Sequence, residues 1–327
     1  MNSPIKEVEK LAVIGTGVIG NGWIARFLAM GYDVVAFDLA EDAAERTRVA
    51  VERAWPSLEE MGLGEGASTS RVTFVSTIEE AVKDADLIQE NVPEREELKK
   101  NVLKNIDQYA KPEAIIASST SGIKPSTLQE GLQHPARLIV AHPFNPVYIL
   151  PLVELVGGGA TTPSIMERAN QFYQSIAMKP LIIQKEIEGH VADRLMEALW
   201  RESLHLVNDG IATTEEIDAA IIYGAGLRWA QMGPFLTFHL AGGDKGMRHM
   251  LEQFGPALKL PWTKLEAPEL TNDLKEKVIT GCEVHAGDVP IAELEVKRNE
   301  FLVKLLDLVE EYWHVPNKIK QKRKEGA

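Results

Sequence analysis

Cysteine is almost absent from this 327-residue sequence: Cys282 stands alone. A single thiol makes neither a disulfide framework nor a thiolate zinc site, no metal site is expected, and the lone thiol fits the reducing cytoplasm. Long apolar runs are missing as well. No stretch approaches the ~18 uninterrupted apolar residues of a membrane helix, so no membrane span is expected. The opening residues MNSPIKEVEKLAVIG hold no long apolar core before a cleavage site, so no export signal is expected either. Bases are outnumbered: 35 Lys and Arg face 48 Asp and Glu, for a formal charge of −13. Duplex DNA and anionic membranes need a dense positive face, which makes both unsuitable partners. The tail 317–327 carries five bases and one acid, and a run so short reads as a solvated terminus. What remains is 45% apolar and 25% charged, ordinary for a globular protein. The length suggests about two domains at ~150 residues each.

The first half alternates strand-like and helix-like patterns. Apolar runs fall at Lys10–Gly15, Asp33–Asp38, Val72–Val75, Leu87–Val92, Ala114–Ser118, Leu138–Ala141, Pro151–Val156 and Leu181–Gln184. The early runs are nearly continuous in Val, Ile, Leu and Ala, as expected of strands covered on both faces. The first helical pattern runs from about Val18 to Met30 and stops at Gly31. Strands alternating with helices predict a Rossmann-like, doubly wound, mainly parallel sheet. After about residue 188 the character changes. Gly189–Asn208 carries Val191, Leu195 and Leu199 on one helical face, and Thr213 to Glu216 reads as the cap of another helix. Helical patterns continue through Phe235–Phe254 and Ala292–Trp313. The expected division is therefore 1–188, a dinucleotide-binding α/β domain, and 189–327, an all-helical domain.

Gly15-Thr16-Gly17-Val18-Ile19-Gly20 is a G-x-G-x-x-G between an apolar strand and an amphipathic helix. Gly15 allows the tight turn, Gly17 a close backbone approach to a pyrophosphate, and Gly20 close packing of helix on strand. The N–H groups and dipole at the start of the helix favour the phosphates. The second strand ends at Asp38, where an acid can bind both adenosine ribose hydroxyls. Leu39-Ala40-Glu41 offer no base for a 2′-phosphate, so NAD is expected rather than NADP.

Chemistry is expected at the strand ends. Ser118-Ser119-Thr120-Ser121-Gly122 follows one strand, His142-Pro143-Phe144-Asn145-Pro146 another, and Glu154 lies within a third. The two strands flanking the proline-rich link between His142 and Glu154 can pair side by side, which sets an imidazole beside a carboxylate. Oxidising an alcohol needs a base for the hydroxyl proton, and a carboxylate on the far nitrogen of the imidazole fixes its tautomer. A serine hydroxyl can orient the reacting oxygen. By residue type alone, a structural histidine after a strand remains an open reading.

Ala117–Ile123 (ASSTSGI), His142–Pro146 (HPFNP), Leu152–Val156 (LVELV) and Gly189–Leu195 (GHVADRL) resemble, in order and across nearly the whole chain, the short-chain 3-hydroxyacyl-CoA dehydrogenases. The resemblance implies that Ser121 contacts the substrate oxygen, that His142 is the general base and that Glu154 orients it. It places Asn145 and Glu90 on the nicotinamide side and implies a homodimer through the helical domain. The position usually held by Asn near the start of that domain is Asp193 here, so its role does not carry over.

An acyl-CoA substrate fits poorly. Glu41–Ser70, the segment that meets CoA in that family, holds seven acids, three arginines and no lysine. Gly224–Gly246 and the residues up to Lys264 resemble the carnitine 3-dehydrogenase branch of the family, which implies a small zwitterion, carnitine, oxidised at its 3-hydroxyl. A trimethylammonium group donates no hydrogen bonds and is held by aromatic faces. Phe144, Trp229 and Phe254 are candidates, with Trp200, Tyr223, Phe235, Phe238 and Trp262 nearby in sequence, although helical core is the alternative for each. Asp193 could add attraction for the cation, and Arg194 or Arg228 could serve the substrate carboxylate. The rival readings are a dehydrogenase of L-gulonate or 3-hydroxybutyryl-CoA, and a non-catalytic dinucleotide-binding protein.

Overall fold

Val, Ile, Leu and Ala fill the strands of the N-terminal half because both faces of its sheet are covered. The computed structural model describes residues 8–313 apart from 231, 243, 245, 257–259, 265–268, 270, 277–279 and 281–289; Cys282 and the basic tail lie outside the described residues. The chain divides into two units, one running to Asp193 and the other from Arg194 to Val315.

In the first unit the strands are β1 (Lys10–Ile14), β2 (Asp33–Phe37), β3 (Val72–Phe74), β4 (Leu87–Glu90), β5 (Ile115–Ser118), β6 (Leu138–Pro143), β7 (Leu152–Gly157) and β8 (Lys179–Ile183). They form one eight-stranded sheet in the order β3-β2-β1-β4-β5-β6-β7-β8. All neighbours are parallel except β6 and β7. The helices are α1 (Val18–Ala29), α2 (Ala43–Met61), α3 (Ile78–Val82), α4 (Glu96–Tyr109), α5 (Pro125–Gln129) and α6 (Pro163–Ser175).

Strand alternation builds two cores. Leu11 and Val13 of β1 face one core with Trp23, Phe27 and Leu28 of α1 and Phe172 and Tyr173 of α6. Ala12 and Ile14 face the other with Leu103 and Ile106 of α4 and Leu128 of α5. This is the doubly wound, Rossmann-like architecture that the alternating pattern predicts. The strand order reverses between β1 and β4, which opens a crevice at their carboxyl ends. One boundary differs usefully from the sequence pattern. β6 runs on to Pro143 and so includes His142, because antiparallel pairing with β7 carries the ladder past the apolar run.

In the second unit all the described elements are helical. They include α7 (Ala192–Asn208), whose first two residues belong to the first unit, α8 (Thr214–Ala220), α9 (Gly226–Trp229), α10 (Pro234–Ala241), α11 (Gly246–Phe254) and a long helix over Ile291–Trp313, with a π turn at Ile221–Ala225. Thr213 forms the expected capping box: its hydroxyl accepts from the Glu216 N–H at 3.2 Å, and its own N–H donates to the Glu216 carboxylate at 2.9 Å. The patterns over Phe235–Phe254 form the two helices α10 and α11. Gly242 follows the first of them, and a Cβ there would sit 1.9 Å from the Gly246 carbonyl oxygen. No helix among the described residues is long and apolar enough to cross a membrane.

Candidate active site

The register of β6 and β7 sets His142 directly opposite Glu154. Side chains opposite one another on a sheet share a face, so imidazole and carboxylate meet. Nδ1 of His142 lies 2.9 Å from Glu154 Oε2. Glu154 has no exposed surface, and His142 is 5% exposed. The other carboxylate oxygen, Oε1, accepts the backbone N–H groups of Val191 and Ala192, both at 2.9 Å. Burial alone would raise the pKa of Glu154. The hydrogen bond with His142 and the two N–H donors outweigh it and hold the carboxylate below the ordinary glutamate range. An anionic partner on Nδ1 keeps the ring proton there, which leaves Nε2 of the neutral ring as an acceptor. Nε2 faces Asp193 Oδ2 at 3.6 Å, and the Phe144 ring stands edge-on with its centroid 5.3 Å from that of His142.

His190, which residue spacing did not single out, completes this cluster. Its ring centroid is 5.4 Å from that of His142. It is fully buried, at a left-handed φ of 46°. Nε2 donates to the Thr120 carbonyl at 3.2 Å, while the buried Nδ1 has no hydrogen-bond partner. Burial holds this imidazole below its ordinary pKa despite the Thr120 bond, and the neighbouring His142 adds to the depression. His190 therefore ties the loop after β5 to the ring on β6.

The same loop is clamped from the turn after β4. Glu94 Oε1 accepts the Thr120 hydroxyl and, at 3.2 Å each, the N–H groups of Ser121 and Gly122. Ser121 is left exposed on this loop. Beneath it, the buried Lys99 ammonium bonds to Glu90 Oε1 and to the Val92 carbonyl, both at 2.9 Å, and lies 3.6 Å from Glu94. Glu90 also accepts from the Ser118 hydroxyl and the Val92 N–H. With no exposed surface and both oxygens engaged, Glu90 braces the ends of β4 and β5.

The glycine-rich loop sits at the β1 end of the crevice. Gly15 has φ +87°, and a Cβ there would lie 2.9 Å from the Asn91 backbone. A Cβ at Gly20 would lie 2.0 Å from the Gly15 carbonyl oxygen, so α1 can approach the turn only through glycine. At Gly17 a Cβ would meet nothing within 4 Å. Gly17 also caps α1 with no side-chain hydrogen bond. An open cradle at an uncapped helix start suits a pyrophosphate. Asp38 follows β2 as expected. Its Oδ2 accepts the Thr16 N–H at 2.7 Å and hydroxyl at 3.0 Å, and its Oδ1 the Ala40 N–H at 3.0 Å. Burial opposes the charge, but these bonds, helped by Arg46, hold the carboxyl below its ordinary range.

Of the remaining candidates, Asn145 is exposed in the link after β6. Trp229 and Phe254 belong to the second unit, where they are 45% and 46% exposed. Trp229 ends the short helix α9 rather than lying in a glycine-rich turn, because the π turn before it continues directly into that helix. Arg194 and Arg228 are exposed in the second unit as well.

A dinucleotide cradle beside a buried imidazole–carboxylate pair defines an NAD-dependent oxidoreductase. Models of the 3-hydroxyacyl-CoA dehydrogenase NAD-binding and C-terminal domains match residues 10–187 and 189–280. The chain belongs to the 3-hydroxyacyl-CoA dehydrogenase family. It is 73% identical to an L-carnitine dehydrogenase of Oceanobacillus iheyensis over 306 residues, 94% of this chain and all of that one. It is 56% identical to an L-carnitine dehydrogenase of Pseudomonas sp., covering 93% and 95% of the two chains. Among solved structures it resembles FHMPC 5-dehydrogenase, an NAD+-dependent dismutase, with TM-score 0.80, 29% identity and coverage of 93% and 99%. A (S)-3-hydroxybutyryl-CoA dehydrogenase from Ralstonia eutropha gives TM-score 0.63 at 26% identity, covering 84% and 95%.

Two outcomes are expected. Gly20→Ala forces α1 off the Gly15 turn and destabilises the fold by ~1–3 kcal/mol or more in urea unfolding. Gly17→Ala leaves the unfolding midpoint in place and weakens NAD binding in a fluorescence titration; equal effects of the two variants would contradict the cradle. The depressed pKa values of Glu154 and Asp38 contribute stability that is present above the ordinary carboxylate range and lost as pH falls through the folded-state values. Acid unfolding is therefore expected to show a shallower pH dependence in Glu154→Gln, which has no proton to take up there, and an unchanged slope would remove Glu154 as a contributor.

Proposed function

We propose that this chain oxidises the 3-hydroxyl of carnitine to the ketone, 3-dehydrocarnitine, with NAD as acceptor. The observation that carries the chemistry is the buried His142–Glu154 pair, whose Nε2 is left to accept a proton. The substrate follows from the names of relatives at 56% and 73% identity.

NAD supplies the hydride acceptor when it is bound, and the protein does the rest. Gly15 to Gly20 and the start of α1 hold the pyrophosphate, and Asp38 the adenosine ribose. Ser121 orients the substrate hydroxyl. His142 Nε2 takes its proton as the C3 hydride leaves, and the carbon–oxygen double bond forms from the electrons of the O–H bond. Glu154 stabilises the resulting imidazolium without taking the proton, because two backbone N–H groups and the ring already saturate it. Asn145 lies on the nicotinamide side of this arrangement. Glu90 was assigned there by family resemblance, but it is fully buried and acts in our reading through the strand ends it braces.

A coenzyme A thioester is the second reading, since a structural relative acts on 3-hydroxybutyryl-CoA. The charges on α2 weigh against it. Arg46 pairs with Asp42 at 3.0 Å, and Arg48 with Glu45 and Glu52 at 2.6 Å each. Two of the segment's three guanidiniums are thus paired with neighbouring acids, which makes them poor partners for a polyphosphate.

A cytoplasmic homodimer belongs to the same reading. Leu195, Met196, Leu199 and Trp200 form one apolar stripe on α7, each 40% exposed or more. A stripe of this kind on a water-facing helix suits a second copy of the chain.

Three measurements test the reading. His142→Gln is expected to lower carnitine turnover by ~10²–10⁴ while NAD still binds, and full activity in that variant would remove His142 as base. In the wild type the oxidation releases a proton, so it should quicken toward alkaline pH, and a flat profile from roughly pH 6 to 9 in the chemical step contradicts a side-chain base for the hydroxyl proton. Light scattering should give twice the mass of one chain, falling toward a single chain in Leu199→Asp; a wild-type monomer ends the dimer proposal.

A further inference from the structure

The hydroxyl being oxidised must meet Nε2 of His142, and a carboxylate stands beside that atom. Asp193 Oδ2 is 3.6 Å from it, on the first turn of α7, with 22% of the side chain exposed. Both residues belong to the first unit. At 3.6 Å the contact is longer than a hydrogen bond, so Asp193 does not orient the ring. Glu154, at 2.9 Å on the opposite nitrogen, already does that. The described neighbours of the imidazole include these two carboxylates, the buried His190 imidazole and the edge of Phe144. A helix start favours an anionic side chain. Asp193 therefore sets a carboxylate beside whatever flanks the carbinol carbon.

We propose that Asp193 is a specificity-determining residue, selecting substrates that carry a positive charge on the arm next to the carbinol and seating that arm at the start of α7. The inference rests on the carnitine reading and names the side chain that recognises the cation. In carnitine the quaternary nitrogen is two bonds from C3. With the hydroxyl on Nε2, it lies a few ångströms from Oδ2, a range over which opposite charges near a protein surface attract strongly. A trimethylammonium group has no N–H to offer, so charge and aromatic faces are what can recognise it. The carboxylate arm of the substrate is repelled from the same spot. One side chain thus tells the two ends of the zwitterion apart.

The test compares carnitine with its neutral isostere, in which a tert-butyl group replaces the trimethylammonium at equal shape. Wild-type kcat/KM is expected to favour carnitine by ~10²-fold or more, and Asp193→Asn, equal in size, to shrink that ratio at least ~10-fold, chiefly through KM for carnitine. Asp193→Glu should keep a preference for the cation. An equal loss on both substrates in the Asn variant would mean a merely structural role and would overturn the inference, as would an unchanged ratio. In either case carnitine oxidation by the wild type still stands. A wild-type enzyme that ignores carnitine but reduces NAD with another 3-hydroxy acid overturns the carnitine reading itself, and the Asp193 inference with it.

Discussion

One cross-strand contact organises the catalytic half of this molecule: the imidazole of His142 on β6 against the carboxylate of Glu154 on β7, 2.9 Å apart and shut away from water. A buried charge is tolerated only when its lone pairs are met, and breaking such a pair typically costs ~3–5 kcal/mol. Here three donors meet them: the ring and two backbone N–H groups. The contact exists because β7, followed by β8 in parallel, turns back against β6 in an otherwise parallel array. In a purely parallel sheet the residue after the apolar run would enter a loop; the antiparallel partner keeps it in the ladder, facing a fixed neighbour.

A second layer of polar contacts fixes what surrounds that pair. Lys99 ties Glu90 and Glu94 together, and Glu94 in turn holds the Thr120 hydroxyl and the backbone of residues 121 and 122. Ser119 accepts from Trp23 Nε1 and Gln89 Nε2 and donates to Asn91, while Gln89 takes the buried Tyr173 hydroxyl at 2.6 Å. Helix α1, the ends of β4 and β5, and helix α6 are thereby joined under the dinucleotide loop. Buried networks satisfied in this way rigidify what lies above them.

Much of this was legible in the sequence, for identifiable reasons. Covered strands are written as runs of Val, Ile, Leu and Ala, and the more exposed outer strands β3 and β8 still carry short apolar runs, so all eight were visible, with ends off by a residue or two. The glycine spacing and Asp38 mark the cradle because the geometry tolerates few alternatives, as the near-contact at Gly20 illustrates. His142 and Glu154 could be paired because a short, proline-rich link joins their strands. His190 and Glu94 were invisible as partners of the Thr120 loop, since their contacts join residues 70 and 26 apart through tertiary packing. The second-unit aromatics give no period that tells core from surface, and Tyr223, Phe235 and Trp262 are in fact widely exposed.

The two oxygens of Glu154 face in different directions, and both face donors: a ring N–H on one side and the paired amides of residues 191 and 192 on the other. A side-chain amide in its place would have a single acceptor to share. Turned with its oxygen to the imidazole, it would aim its NH2 at the two amides of the helical turn. Turned the other way, it would be met only by the opposite ring tautomer, with the proton on Nε2, where the reaction needs an acceptor. An acid is what serves the helical turn and holds the ring proton on Nδ1 together, so drift to glutamine in a descendant sequence would signal a ring no longer held as a base.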